Sequence, residues 1–209
     1  MITKSYRDVK KVRESVSDLD WEEADLTGVQ WNHQTFEDAN FRHVRWDGAI
    51  LRSCRFMHCD FTGSSFSGAT VQDSLFVACE WRWVRFFGAQ LKDLKMVGNT
   101  FDQADLTGIK IRGGDWSSTR MRHQGLAGQD FSGMQWRDAD FYGADLRQVN
   151  FQSADLSRVI FEQANLTDAD LRSAEVEGIN WATVSLRRVT LDQAQAICVV
   201  RSLGAHVVD

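Results

Sequence analysis

Five histidines and four cysteines are the side chains in this 209-residue chain best suited to metal or redox chemistry. His33, His43, His58, His123 and His206 are scattered, and no two share a metal-ligand spacing with a carboxylate on a suitable frame. They read as surface residues. Cys54, Cys59, Cys79 and Cys198 are too few and wrongly spaced for a zinc site or a disulfide scaffold. No serine–histidine–aspartate set, glycine-rich phosphate loop or close carboxylate pair stands in a pocket-forming context. The expectation is no catalytic residue, no metal and no cofactor, and therefore no enzyme.

Two other clusters could make contacts. Between residues 138 and 177 nine acids (Asp138, Asp140, Asp145, Asp155, Glu162, Asp168, Asp170, Glu175, Glu177) face three bases (Arg147, Arg158, Arg172), a local net of −6 against −5 for the whole chain. Such a stretch could make contact with a positively charged surface. The competing reading is that Asp140, Asp145, Asp155 and Asp170 only make turn hydrogen bonds. Trp83 and Phe87, flanked by Arg82 and Arg85, are large residues at outward positions, either a contact site or packed under a neighbour.

These residues must be positioned by a period of five. Every residue whose number leaves remainder one on division by five, from Val16 to Leu191, is large and apolar, 36 in succession. At the chain's 43% hydrophobic content, chance gives such a run on the order of 10⁻¹³ of the time. Two residues earlier runs a mostly small column, Ala24, Ala39, Ala49, Cys54, Cys59 and onward, in which the cysteines read as buried fillers. Cys59 and Cys79, twenty apart, fall on the same face one coil apart. A disulfide there is conceivable, though a reducing cytoplasm argues against it. A period of five fits neither helix nor strand. The chain must turn a corner at each repeat, and stacked repeats complete the core.

The small column fails from Gly114 to Gln129, which predicts either a locally irregular stretch or a degenerate coil. Residues 1–15 read as an N-terminal cap, 16–190 as the repeat body and 191–209 as a helix and tail. Leu191, Ala194, Ile197 and Cys198 fall on one helical face, Gly204 supplies a stop, and His206, Val207 and Val208 trail it. The N-terminus lacks the apolar core of a secretory signal, and no apolar run is long enough to span a membrane. A cytoplasmic location follows as the expectation.

The repeats ADLTG, ANFRH, ADFYG, ADLRQ and ANLTD resemble the pentapeptide-repeat family over roughly residues 14–193. That resemblance implies an all-β fold, a right-handed quadrilateral β-helix with four repeats per coil. Here that means about nine coils, a rod of roughly 43 Å at the usual ~4.8 Å spacing, followed by a short C-terminal α-helix. The segment LDQAQAICVVRSLGAHVV (191–208) is similar to the C-terminal segment of bacterial pentapeptide-repeat proteins that protect DNA gyrase: the Qnr-type quinolone-resistance, mycobacterial fluoroquinolone-resistance and albicidin-resistance proteins. This second resemblance implies a partner, DNA gyrase or topoisomerase IV. It also implies a mechanism, imitation of duplex DNA or displacement of a drug. It implies a homodimer through Leu191, Ala194, Ile197, Cys198, Leu203, Val207 and Val208, with no direct nucleic-acid or membrane contact. The acids Asp138, Asp140, Asp145, Asp155, Asp168, Asp170 and Glu175 are then the candidate gyrase-binding surface. Unlike the Qnr proteins of Gram-negative bacteria, this chain has no break in its large column, so no loop residue carries over. The alternative is a pentapeptide-repeat scaffold or interaction module with a non-topoisomerase partner.

Overall fold

The computed structural model describes Val16–Ser17 and residues 20–208, so the expected cap at 1–15 lies outside the described residues. The chain forms a parallel β-helix in which every pairing joins residues twenty apart, four repeats per turn. It divides into two compact units at Lys110/Ile111.

In the first unit two of the four faces are regular strand. One stacks β1 (Val16–Ser17), β3 (Thr35–Glu37), β5 (Arg55–Met57) and β7 (Leu75–Val77), with Phe36 opposite Phe56 and Phe56 opposite Phe76. The other stacks β2 (Gln30–Asn32), β4 (Ile50–Arg52), β6 (Thr70–Gln72) and β8 (Gln90–Lys95), with Trp31, Leu51, Val71 and Leu91 in register. The last strand, β9 (Lys110–Asp115), begins at the end of this unit, where the Lys110 N–H donates to Ala89 O at 2.9 Å. Single bridges such as Asn40–Asp60–Glu80 and Arg45–Ser65–Arg85 hold the remaining faces.

The large column is the core. Like residues stack ring on ring between turns: Phe56 on Phe76 at 4.8 Å and 4°, Phe61 on Trp81 at 4.3 Å and 10°. Such contacts add to the area burial of each ring. Cys54, Cys59 and Cys79 are buried free thiols in the small column, as their spacing predicts.

Polar residues in that column have a structural purpose. Most corners close with a hydrogen bond from the small residue's N–H back to the large residue's carbonyl, as in Ala24 N to Trp21 O at 2.9 Å. On the strand faces a side chain from the next turn enters that link instead. Ser74 Oγ accepts from Cys54 N at 3.0 Å. Asn99 accepts from Cys79 N at 3.0 Å and from Trp81 Nε1 at 3.0 Å, and donates to Phe76 O at 2.8 Å.

In the second unit all four faces pair by parallel single bridges, including Asp115–Gln135–Asp155–Glu175 and Asp130–Asn150–Asp170–Thr190. Nearly every corner carries the closing turn bond, as in Met134 N to Phe131 O and Ala154 N to Phe151 O, which leaves no length for extended strand. The expected nine coils are corrected accordingly. Counted as regular strand, the helix of the first unit makes four turns, marked by β2, β4, β6 and β8, and the bridges of the second unit keep the same twenty-residue spacing. The doubtful stretch 114–129 is a degenerate coil and not an irregular one: Asp115, Arg120 and Gly125 bridge Gln135, Asp140 and Asp145 in register. Thr119 and Gln124 fill the small column, buried, and Thr119 Oγ1 donates to Trp116 O at 2.7 Å.

A C-terminal helix, α1 (Gln193–Ser202), follows the last bridged residues. Asp192 caps it in a reciprocal box with Gln195. Gly204, at φ 89°, ends it. Asp192 Oδ2 also accepts from Ser173 N at 2.7 Å, and Gln195, buried, donates to Ala174 O at 3.1 Å. The helix thereby satisfies backbone groups that a further turn of β-helix would otherwise take. Among the described residues no helix is long and apolar enough to cross a membrane.

Candidate functional site

The register decides which carboxylates of the second unit share a surface. Positions twenty apart stack, so the seven predicted acids divide among all four faces. Asp155 and Glu175 are paired neighbours in one column. Asp138 lies at the corner ending the same face, and Asp140 begins the next. Asp145 falls on the face after that, with Asp168 at its closing corner, and Asp170 on the one beyond.

The charge is concentrated on one of the four faces. The face centred on Trp116, Trp136, Leu156 and Val176 carries Asp115, Asp138, Asp155, Glu175 and Glu177 against Arg137 and Arg158, a net of −3. This equals the net of residues 111–209, which hold thirteen acids and ten bases, so the other positions cancel. Three predicted residues, Asp138, Asp155 and Glu175, belong to this face. Asp115 and Glu177 complete it, and counting by twenty would have found them.

Six of the seven predicted acids are hydrogen-bonded to an arginine. Arg158 Nε and Nη2 donate to Asp138 at 2.7 and 2.8 Å, and Arg188 meets Asp168 the same way at 2.6 and 2.7 Å, one turn away in each case. Arg122 and Arg137 reach Asp140 and Asp155 of the following turn at 2.6 Å each. Arg147 and Arg172 fold back on Asp145 and Asp170, both at 2.6 Å. Glu175 is exposed, with Arg137 Nη2 at 4.0 Å. Three of these arginines, Arg122, Arg137 and Arg188, lie outside residues 138–177, and including them halves the apparent local net from −6 to −3.

The second oxygen of several acids performs the turn chemistry that was the competing reading. Asp140, Asp155 and Asp170 accept from the backbone N–H two residues on, at 3.0, 2.9 and 3.1 Å. Asp155 is 5% exposed. Its burial pushes the carboxyl up, but hydrogen bonds from Ser157 and Arg137 outweigh that and hold it below the ordinary carboxylate value. Hydrogen bonds from Arg158, Arg147, Arg188 and Arg172 hold Asp138, Asp145, Asp168 and Asp170 below it too.

The predicted dimer residues fall on both sides of α1. Its buried positions are Gln195 and Val199, one turn apart, where it packs on its own chain. Leu191, Ile197 and Val207 are half-buried, while Ala194, Cys198, Leu203 and Val208 are exposed, Leu203 at 57% and Val208 at 86%. Val200 joins them at 41%.

All five histidines are exposed. His43 and His123 lie over Gly63 and Gly143 of the next turn, and any Cβ at Gly143 would meet the His123 ring at 2.5 Å. His58 has a carboxylate beside it: its Nδ1 lies 3.7 Å from Asp38, twenty residues earlier. Trp83 and Phe87 are exposed, and the Trp83 indole donates to Gln103 of the next turn.

A four-faced parallel helix with an inward residue every fifth position defines a class of repeat solenoid. The family model for the pentapeptide repeat region matches residues 24–106 and 49–131, and that for pentapeptide repeats in eight copies matches 126–163 and 164–196. The chain belongs to the pentapeptide-repeat family. No curated protein matches it. Among solved structures, two trypsin-treated variants of QnrB1, a plasmid-mediated fluoroquinolone resistance protein, are each 22% identical. One has a TM-score of 0.56 with 93% of this chain and 100% of that one covered, the other 0.57 with 92% and 99%. At this identity the likeness is one of fold.

Proposed function

We propose that this chain is a non-enzymatic protein that docks on a type II topoisomerase, DNA gyrase or topoisomerase IV, and protects it from a poison of the albicidin or quinolone type. The observation that carries the reading is the C-terminal segment. It closes the last turn through Asp192 and Gln195 and still leaves Val200, Leu203 and Val208 in solvent. That is the surface expected of a homodimer joined end to end, and the resemblance of residues 191–208 points to the same group. The fold likeness to a fluoroquinolone resistance protein over nearly the whole of both chains supports it.

The acidic face ends beside that segment, since Gln195 bonds to Ala174, the neighbour of Glu175. Its four rungs span about 14 Å at the usual interstrand spacing, over which a DNA duplex carries about eight charges. A net of −3 is roughly a third of that. Charge alone is therefore a weak copy of DNA, and this favours protection by direct contact that displaces the drug. The ion pairs at Asp138 and Asp155 favour the second reading, an interaction module for a partner other than a topoisomerase.

A supercoiling assay with purified gyrase, titrated with the protein in the presence and absence of albicidin or a fluoroquinolone, tests the proposal. Rescue of supercoiling in the poisoned arm, or inhibition by the protein alone, is the expected outcome. Folded protein without effect in both arms would leave the second reading.

A further inference from the structure

In the first unit, the corner that follows β3 and β5 brings three potential metal ligands together. The register places Asp38 and His58 at equivalent positions on adjacent turns, both with φ 53°, and Glu37 opposite Met57. Backbone bonds fix the frame: Asp38 N donates to Met57 O and His58 N to Val77 O, each at 2.9 Å. One donor atom from each of Glu37, Asp38 and His58 lies within 4.8 Å of the other two. The His58–Asp38 separation of 3.7 Å is too long for a hydrogen bond. Among the described residues neither carboxylate is ion-paired with a lysine or arginine. The next residue along the corner column is Ala78, and the His58 side chain is 58% exposed.

We propose that Glu37, Asp38 and His58 form a surface site for a borderline divalent transition metal, with Zn²⁺ as the reference ion. Two carboxylates and an imidazole suit such an ion, and the imidazole disfavours Ca²⁺ and Mg²⁺. Metal–donor bonds of about 2.0–2.2 Å place tetrahedral donors about 3.4 Å apart. The three side chains must close by roughly 1 Å or somewhat more, and their exposure leaves them free to rotate. Three protein donors leave a fourth position for water or for a donor from a bound partner.

The test is calorimetric titration of the untagged full chain with ZnCl₂, carrying Cys198→Ser to remove the exposed thiol, with Co²⁺ absorption reporting coordination number. One saturable site is expected. It should weaken at least about tenfold in His58→Ala and in Asp38→Asn, with an unchanged melting profile. No saturable binding below about 1 mM, or binding unaffected by His58→Ala, would overturn the assignment and leave a solvated His58–Asp38 pair.

Discussion

Asn99→Ala is the sharpest probe of how the first unit holds together. The Asn99 side chain is fully buried and sits inside a corner link: its oxygen accepts from Cys79 N and the Trp81 indole, and its nitrogen donates to Phe76 O. Alanine would strand two buried donors and one acceptor. At about 1–3 kcal/mol for each unsatisfied group, and allowing some relaxation, the loss is about 3–6 kcal/mol. That is a large part of the roughly 5–15 kcal/mol typical of a domain. Asn99→Ser should lose only about 1–2 kcal/mol. Its hydroxyl can bridge the same two backbone groups as Ser64, which accepts from Val44 N at 3.2 Å and donates to Phe41 O at 2.6 Å. Urea unfolding followed by circular dichroism measures both variants, and a Trp81→Phe background should shrink the Asn99→Ala effect by about 1 kcal/mol. A loss below about 1 kcal/mol for Asn99→Ala, with an unchanged urea slope, would refute this account of the corner.

Other outcomes follow from the second unit. Asp138, Asp145, Asp155, Asp168 and Asp170 titrate below their unfolded value, so their stabilisation is complete above about pH 4 and is lost as pH falls through the folded values. Melting temperature against pH should drop below about pH 4, less steeply in Asp155→Asn. Arg137→Met leaves the buried Asp155 carboxylate without its guanidinium. It should cost about 1–2 kcal/mol by thermal melting, discounted because Arg137 itself is 44% exposed. If α1 joins two copies, Leu203→Asp should turn a dimer into a folded monomer by light scattering, and a wild-type monomer would remove that interface.

The core was legible because a large residue every fifth position admits one arrangement, and Phe36, Phe56 and Phe76 duly stack. The surface was less so. Counting acids along the chain grouped Asp145 with Asp155, although the coil puts them on different faces, and it overlooked Arg137 and Arg188, which lie just beyond the window but touch it in space. Gln124 read as a failure of the small column, yet it is buried; Asn99 was not singled out at all, although it is buried and satisfies backbone groups a turn away. His58 looked isolated for the same reason: its neighbour is twenty residues off and adjacent in the fold.

Core and surface thus obey different clocks. The interior repeats every five residues, while every cross-turn neighbour repeats every twenty. Inserting one pentapeptide within either unit keeps each large side chain pointing inward, yet advances everything beyond it by a quarter of a coil. Placed between Asp138 and Arg158, or between Asp38 and His58, it parts that pair although the hydrophobic phase survives. Only a change of twenty residues keeps both the hydrophobic phase and the face on which each residue lies. The core therefore tolerates small changes of length that the outer faces do not, and functional surfaces in this fold are held by the longer period.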